Sequence, residues 1–332
     1  MKKTTIIDIA TIARVSKATV SMVISGRDQS ISEETKKRVL KIAKELNYIP
    51  NSIARSLSTN KSGTIGIILP DILNPFFSEM ARTIEDSAEL LGYNVIFCNT
   101  DNELVKEEKY IKLLISKSVD GVILIAGSKS AENVKILKLN NVPFVLVDRY
   151  IDGYEDMYGV FCENTKGVME AITYLYKKGR RRIAFVKGPK ELTISKLRLD
   201  GYRKKMKEYK IYDKNLIFEG DLTIEGGIKA SEKIIVTSCD VDAIFFSNDA
   251  MAIGGMKIFI RKGYRIPEDI SIVGYDNIQI DQFIEPELTT VGQPIYNMGK
   301  ESCKLLINII NEVEILQKQI YFKSELIIRG TT

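Results

Sequence analysis

From Thr64 onward, short apolar runs alternate with amphipathic segments of helical period. The runs begin near residues 64, 94, 121 and 144 and, in a second series, near residues 182, 216, 243 and 270. Strands that start every 25–30 residues or so, with helices between them, are typical of βαβ units and of parallel sheets. Two blocks of four strands predict an α/β core of two similar doubly wound parallel-sheet subdomains rather than one large sheet.

The first 50 residues have a different pattern, which is all-α. Apolar spacing predicts three short helices, over residues 5–13, 17–25 and 33–47. Ser16 and Ser32 are suited to cap the second and third helices, and Gly26 is suited to end the second. The third helix is expected to bury a stripe formed by Val39, Leu40, Ile42, Ala43 and Leu46. Because about three residues separate the first two helices, the segment is predicted to be a helix-turn-helix.

The charge is concentrated in this N-terminal segment. Residues 1–61 hold 12 Lys and Arg against 5 Asp and Glu, a net charge of +7, whereas the remaining residues hold 36 against 38, a net charge of −2. A small basic unit attached to a nearly neutral body suggests a module that binds a polyanion such as nucleic acid.

Several classes of function are disfavoured by composition. The chain contains no histidine, which removes Ser-His-Asp and Cys-His catalysis and most transition-metal sites, so no metal is expected. The segment after the first strand, "GIILPDILNPFF", lacks GxGxxG, and "GVILIAGSKS" lacks the GK[ST] ending of a phosphate loop. We therefore expect no cofactor.

The location in the cell is inferred from the cysteines and from the absence of membrane signals. Cys98, Cys162, Cys239 and Cys303 are far apart in the sequence and form no CxxC motif, so buried, reduced thiols are expected. No apolar run approaches the roughly 18 residues that span a bilayer, and the N-terminus lacks a signal-peptide core. These observations predict a cytoplasmic protein that does not associate with a membrane.

Polar and aromatic side chains follow the strands at the edge where ligands bind in parallel sheets. In the first series these are Asn74, Phe76, Phe77, Asp148 and Arg149. In the second series they are Arg198, Asn248, Asp276 and Gln293. Aromatic rings that cover a sugar ring, together with Asp, Asn and Arg side chains that bond its hydroxyls, are typical of sugar recognition.

Each of these residue types also has an ordinary structural explanation. Asn and Asp cap helices, an Arg forms ion pairs, and phenylalanines fill cores. Their shared position at strand ends favours a sugar site in a cleft between two sets of strands. An enzyme that uses Asp148 and Asp276 as an acid/base pair is an alternative from a different class.

The chain resembles the lactose-repressor (LacI) family of bacterial transcription regulators. The resemblance covers essentially the whole chain, and it is carried by "IDIATIARVSKATVSMVISG", "ISEETKKRVLKIAKELNYIPNSIARSL", "LRLDGYRKKM", "SNDAMAIGGM", "ISIVGYDN" and "LTTVGQP". It implies a transcriptional regulator, most similar to ribose repressors, whose core is like a type I periplasmic binding protein. The rival class, a sugar-binding receptor for a transporter, would need a secretory signal and would have no use for residues 1–60.

The resemblance also implies domain boundaries. A helix-turn-helix headpiece covers residues 1–49, and a hinge helix and linker cover 50–61. The N-terminal subdomain consists of residues 62–162 and 294–322, and the C-terminal subdomain consists of 163–293 and 323–332. The chain would therefore cross between the two subdomains three times.

The DNA-contacting residues are carried over from the family's motif. In a helix-turn-helix the start of the second helix enters the major groove, so the candidates for base contacts are Lys17, Ala18, Ser21 and Met22. Ser16, Thr19 and Asn51 are better positioned for phosphates. In the hinge, Leu57 matches the leucine that wedges a base step in the minor groove, and Ala54 allows close approach. The alternative for Leu57 is a core position in a fourth helix.

Three positions depart from the family's pattern. Met22 stands where Arg is usual, so a thymine methyl rather than a guanine edge is the expected contact. Arg14 occupies a turn position that is usually small, and a left-handed conformation there would cost about 1 kcal/mol. Arg180 stands where a Gly-His pair is common.

The partners that the resemblance implies are operator DNA, a sugar and a second copy of the chain. The effector residues resemble those of ribose-binding proteins, so ribose is the first expectation for the ligand. Global regulators of carbon catabolism, which sense a phosphocarrier protein, are the alternative, but Asn297 and Lys304 stand where those regulators usually carry Asp and Arg. A homodimer is expected rather than a tetramer, because "RGTT" is not followed by a heptad tail.

Overall fold

The computed structural model describes residues 4–26, 28–49, 61–127, 130–151, 156–237 and 240–332. The chain forms two compact units, Met1–Ser62 and Gly63–Thr332. Each helix among the described residues is either too short or too polar to span a bilayer.

The first unit contains three helices, α1 (Ile6–Ala13), α2 (Lys17–Ile24) and α3 (Glu33–Glu45). The predicted helices are confirmed, and so are two caps: the side chain of Ser16 accepts from the Thr19 N–H and that of Ser32 accepts from the Thr35 N–H. Gly26 follows α2 with φ +69°, a left-handed conformation that favours glycine.

The core of this unit is formed by one face of each helix. Its fully or nearly fully buried residues are Ile9, Ala10, Ala13, Val20, Val23, Val39 and Ala43. The prediction that Leu40 belongs to the buried stripe of α3 is wrong, because its side chain is 52% exposed. Leu40 lies one position after Val39, which rotates it by about 100° around the helix and away from the core.

The second unit is built around two six-stranded sheets. The first sheet consists of β1 (Thr64–Leu69), β2 (Asn94–Asn99), β3 (Gly121–Leu124), β4 (Phe144–Val147), β5 (Gly159–Cys162) and β11 (Gln319–Phe322). Its spatial order is β11-β5-β4-β3-β1-β2, and every neighbouring pair is parallel.

The second sheet consists of β6 (Ile183–Lys187), β7 (Ile217–Glu219), β8 (Ala243–Phe246), β9 (Ser271–Asp276), β10 (Thr289–Gly292) and β12 (Glu325–Ile327). Its order is β12-β10-β9-β8-β6-β7. The edge strand β12 pairs antiparallel with β10, while the other pairs are parallel.

The α/β prediction is confirmed, but the number of strands is corrected from four to six in each sheet. The additional strands are β5, β10, β11 and β12, and the last of these makes the second sheet mixed rather than purely parallel. All four contain only three or four residues and include a glycine or a polar residue, so none forms a continuous apolar run such as those of β4 and β8.

Helices cover both faces of each sheet. Around the first sheet these are α4 (Pro75–Leu90), α5 (Leu104–Ser116), α6 (Ala131–Leu139) and α11 (Ile295–Ile310). Around the second they are α7 (Asn164–Lys177), α8 (Thr193–Glu208), α9 (Ile224–Thr237) and α10 (Asp249–Arg261). One core packs α4 and α11 on the first sheet, and another packs α7 and α8 on the second.

The chain passes between the two sheets three times. It leaves the first sheet after β5, returns after β10 to form α11 and β11, and enters the second sheet again with β12. Each sheet is therefore completed by a segment that is distant in sequence.

Candidate DNA-reading helix and effector site

Helix α2 presents a polar surface because its apolar side chains are used for packing. Val20 and Val23 are buried against α1 and α3, and this fixes the rotation of the helix. Of the residues predicted to contact DNA, the structure places Ser16, Lys17, Ala18 and Ser21 at exposed positions and Thr19 and Met22 at partly buried ones.

The start of α2 is organised by a hydrogen-bonded pair of hydroxyls. Ser16 Oγ lies 2.8 Å from Thr19 Oγ1 and accepts from the Thr19 N–H at 3.0 Å. An exposed helix N-terminus with two hydroxyls beside it is suited to a phosphate oxygen. Asn51, Ala54 and Leu57, the other predicted DNA contacts, lie outside the described residues.

The turn between α1 and α2 depends on a residue in an unusual conformation. Arg14 has φ 53° and ψ 47°, the left-handed region, and its N–H donates to the Ala10 and Thr11 carbonyls. The condition under which the sequence implied strain at Arg14, a left-handed turn, is therefore met. A non-glycine residue there costs about 1 kcal/mol or more, which the surrounding hydrogen bonds offset.

In the second unit, the candidate effector residues lie where strands end. Asp148 directly follows β4, Asn248 is two residues beyond β8, Asp276 is the last residue of β9, and Gln293 directly follows β10. Asp148 and Asp276 have φ values of 64° and 123°. Backbone conformations of this kind are concentrated at functional sites.

Arg198 lies at the centre of the set. Its Nε donates to Asn164 Oδ1 at 2.7 Å and its Nη1 donates to the Ser247 carbonyl. Its Nη2 lies 3.6 Å from Asp276 Oδ1, and its guanidinium carbon lies 3.7 Å from the Tyr275 ring centroid. A cation held by an acceptor at each nitrogen and by an aromatic face keeps one orientation.

On the side of the first sheet, Arg149 connects two loops. Its Nη1 donates to Asn102 Oδ1 at 2.9 Å, and its guanidinium carbon lies 5.2 Å from the Phe77 ring centroid. Burial raises the pKa of the neighbouring Asp148, while the guanidinium groups of Arg198 and Arg149 oppose that rise. The Asp148 carboxyl belongs to the subdomain of the first sheet, yet it interacts with Arg198, which belongs to the subdomain of the second sheet.

Asp276 is held by Gln293. The Gln293 Nε2 donates to Asp276 Oδ1 at 2.9 Å, and the Gln293 N–H donates to the Asp276 carbonyl at 3.1 Å. Burial raises the pKa of Asp276 well above its usual range, and Arg198 opposes the rise. Two acids and two arginines therefore meet in a site with little access to water.

Three candidates have mainly structural contacts. Asn74 caps α4 by accepting from the Phe76 N–H at 3.1 Å, and Asn248 caps α10 by accepting from the Met251 N–H at 3.1 Å. Phe76 packs edge-on against Phe77, with their ring centroids 5.2 Å apart, and both rings are at most 5% exposed within the core between α4 and the first sheet.

Several buried polar atoms around this site have no hydrogen-bond partner among the described residues. They are Asp148 Oδ1, Arg149 Nε, Ser195 Oγ, Ser247 Oγ and Gln293 Oε1. Since an unsatisfied buried polar group costs about 1–3 kcal/mol, this concentration of them at strand ends makes the region the candidate ligand site.

Two of these residues were missed by the sequence reasoning. Ser195 lies one turn before Arg198 on α8, and Ser247 directly precedes Asn248. Helical spacing from Arg198 and adjacency to Asn248 are the signals that could have identified them.

A helix-turn-helix unit joined to two α/β subdomains with a polar candidate site at their strand ends defines a class of DNA-binding regulators. The family descriptions that match agree: "Bacterial regulatory proteins, lacI family" over residues 5–51 and "Periplasmic binding protein-like domain" over residues 172–332. The chain belongs to the LacI family, and it is a DNA-binding transcriptional repressor of that family.

Individual relatives match over nearly the whole chain. The ribose operon repressor of Halalkalibacterium halodurans is 40% identical over 99% of this chain and 97% of its own length. Catabolite control protein A of Priestia megaterium is 36% identical over 93% of each.

Solved structures of LacI-family proteins also match. A lac repressor dimer bound to operator and an anti-inducer has a TM-score of 0.89 at 25% identity, covering 99% of each chain. A regulator from Enterococcus faecium with bound ribose has a TM-score of 0.73 at 30% identity, covering 81% of this chain and 98% of its own.

Proposed function

We propose that this repressor releases its operator when ribose binds among Asp148, Arg149, Arg198, Asp276 and Gln293. The single observation that carries the proposal is the set of buried polar atoms without partners at these strand ends. Two relatives support the choice of sugar, since one is a ribose operon repressor and the other a regulator with bound ribose.

The chemistry of the site favours a compact neutral polyol. Asp148 and Gln293 supply free acceptor oxygens, Arg149 supplies a free N–H, and the hydroxyls of Ser195 and Ser247 can serve as either donor or acceptor. A sugar hydroxyl both donates and accepts, so a few hydroxyls satisfy this mixture. The Phe77 ring packs mainly in the core, but it lies beside the Arg149 guanidinium, so the part of the site next to Arg149 has an apolar neighbour.

The site suggests how binding is coupled to DNA. Phe77, Asp148 and Arg149 belong to the subdomain of the first sheet, while Arg198 and Asp276 belong to that of the second. A ligand that bonds to both groups favours one relative arrangement of the subdomains. A coupling free energy of about 1–3 kcal/mol to the DNA-bound state would change operator affinity by roughly 5- to 150-fold.

On the DNA side, we propose that a homodimer reads a pseudo-palindromic operator. Lys17, Ala18, Ser21 and Met22 would face base edges, and Ser16 and Thr19 would hold phosphates. The hinge contacts Asn51, Ala54 and Leu57, within residues 50–61, extend this proposal to the minor groove. The proposed domain boundaries are residues 1–49 for the headpiece, 62–162 together with 294–322 for the N-terminal subdomain, and 163–293 together with 323–332 for the C-terminal subdomain.

The proposal is tested by titrating sugars into the complex of the full-length protein with a selected operator. Fluorescence anisotropy should show release by ribose, and a thermal shift should show stabilisation by the same sugar, with D-xylose, cellobiose and a nucleoside as comparisons. Stabilisation by another sugar would replace ribose as the effector. Absence of a shift with every sugar would contradict the proposed site.

The catabolite-regulator alternative is supported by the similarity to catabolite control protein A. A regulator of that kind would gain operator affinity from a phosphocarrier protein rather than lose it to a sugar. On α11, Asn297 and Lys304 are both exposed and Lys304 lies 3.8 Å from Glu301, so the face offers neither the Asp nor the Arg expected of that group. Adding a phosphocarrier protein in place of sugar in the anisotropy experiment distinguishes the two functions.

A further inference from the structure

One layer of the core carries a strong positive charge that the DNA-binding unit does not explain. Residues 163–214, which contain α7 and α8, hold 16 Lys and Arg against 6 Asp and Glu. The rest of the core, residues 62–162 and 215–332, holds 20 against 32. A net charge of +10 on one layer and −12 elsewhere is a marked asymmetry within a body that is nearly neutral as a whole.

The two helices of this layer lie side by side and run in the same direction. Near their starts, Thr165 Oγ1 donates to the Leu197 carbonyl at 3.2 Å, and near their ends the Tyr209 hydroxyl donates to Thr173 Oγ1 at 3.1 Å. Their inner faces pack on the second sheet, so their outer faces are exposed.

A groove lies along this outer face, which we call the α7/α8 groove. Its volume is about 380 Å³, and its lining includes Lys166, Met169, Thr173, Tyr174, Lys177 and Lys205. Met169 and Tyr174 are partly buried and give the groove an apolar floor, while the lysines form its walls. The stretch of α7 from Lys166 to Lys177 is about 17 Å long, or three helical turns.

Much of the positive charge is unpaired. Lys177 has no carboxylate within 4 Å among the residues described, and neither do Lys204, Lys207 and Lys210 near the end of α8. The lysines that do form ion pairs in the groove, Lys166 with Glu163 and Lys205 with Glu208, do so with neighbours on or next to the same helix. Exposed pairs of this kind contribute little and are easily exchanged for another acid.

We propose that the α7/α8 groove docks an acidic amphipathic helix of another protein. The apolar side chains of that helix pack on Met169 and Tyr174, and its carboxylates pair with the lysines of the groove. This is the helix-in-groove mode of recognition. The commitment to a protein rather than a nucleic acid rests on the apolar floor of Met169 and Tyr174, which an apolar helix stripe can cover and a phosphate backbone cannot.

The aromatic side chains nearby also argue against nucleic acid. Tyr176 and Tyr209 stack on each other with ring centroids 4.0 Å apart, and Arg181 covers Tyr176 at 3.9 Å. Rings that are already stacked and covered are not available to bases, which bind single strands by stacking on free aromatic faces.

The test uses a defined probe, a fluorescein-labelled 14-residue peptide with Leu at positions i, i+3, i+4 and i+7 and Glu at most others. A matched peptide replaces each Leu by Ser and keeps the charge. Anisotropy with the full-length protein should show binding of the Leu peptide at least tenfold tighter than the Ser peptide. Equal binding of the two, or no binding of the Leu peptide at millimolar protein, would overturn the proposal, and this comparison needs no protein variant.

A pair of charge-reversed variants locates the binding. Lys166→Glu with Lys177→Glu should weaken binding of the Leu peptide at least tenfold. Lys109→Glu on α5 with Lys117→Glu at its C-terminal end makes an equal change of charge elsewhere on the surface and should change binding less than twofold. Equal weakening by both pairs would assign the binding to net charge alone. If the first pair instead lowers the affinity for a non-operator duplex tenfold and leaves the peptide unaffected, the groove takes nucleic acid.

Discussion

The Nη2 atom of Arg198 lies 3.6 Å from Oδ1 of Asp276, and both side chains are almost completely buried. A buried acid that loses its cation is left with a poorly compensated charge. Arg198 also donates to Asn164 and to the Ser247 carbonyl, so one side chain holds together α7, the end of β8 and the end of β9.

Arg198→Ala is therefore expected to lower the free energy of unfolding by about 3–5 kcal/mol and to abolish the response to sugar. Urea unfolding followed by circular dichroism measures the first effect. Arg265→Ala is the control, because its pair with Asp269 is exposed to solvent and should contribute little to stability. Equal losses for the two variants would mean that burial adds nothing to the Arg198 contacts.

Arg14 provides a test of backbone strain in the headpiece. Because its φ is 53°, Arg14→Gly should slow amide exchange in α1 and α2 by an amount equivalent to about 1 kcal/mol relative to Arg14→Ala. Both variants lose the same charge, so their difference isolates the conformation. Hydrogen exchange measured by mass spectrometry is local to these helices, and indistinguishable exchange in the two variants would show that the turn stores no strain.

Asp281 should make stability depend on pH. Burial, followed by the nearby Asp249 carboxylate, raises the pKa of Asp281 to about 10. The folded protein therefore keeps its proton up to about pH 10, whereas the unfolded chain loses it above about pH 4. The free energy of unfolding falls as the pH rises between these two values, by at most about 1.4 kcal/mol per pH unit.

Asp281→Asn has no proton to lose, and its stability relative to wild type should increase by about 1–3 kcal/mol between pH 5.5 and 8.5. Asp269→Asn is the control, since Arg265 lowers the pKa of exposed Asp269 to about 2 and that group does not titrate in this interval. Parallel pH profiles for Asp281→Asn and wild type would show that Asp281 is ionised in the folded protein.

Met22 is partly buried on α2, among the exposed candidates for base contacts. Met22→Arg should change the preferred base at one position of each half-site toward guanine, because an Arg side chain pairs with the guanine edge while an apolar side chain contacts a thymine methyl. Selection of binding sites from random duplexes measures the preference. Identical selected sites for the two proteins would exclude Met22 from base reading.

The periodic elements of the chain were predictable, and the short returning ones were not. Helices α1 to α3 and strands such as β1 and β9 carry enough residues for period and capping to be recognised. By contrast, β11 and β12 contain four and three residues and are defined by pairing with strands far away in sequence, β11 with β5 and β12 with β10. Local pattern contains no information on such pairing.

The same limit applies to the candidate site. Asp148, Asp276 and Gln293 could be identified because they follow recognisable strands or stand in a motif. Ser195 and Ser247 are harder to identify, since a serine is common in any context. Spacing from Arg198 and adjacency to Asn248 only nominate them, and the lack of a partner for each buried hydroxyl is what distinguishes them. Whether Asn248 is a cap, a ligand contact or both is likewise a question of geometry that residue type does not answer.

Because the chain passes between the sheets three times, each sheet is completed only late in synthesis. Helix α3 ends at Glu45, whereas the first sheet is completed only by β11 at Gln319–Phe322. At about 5–20 residues per second, a ribosome needs roughly 15–55 s to synthesise the residues between them. During that interval a nascent chain carries the helix-turn-helix without a complete α/β core, so under the proposed function control by a sugar is the last property that a new molecule acquires.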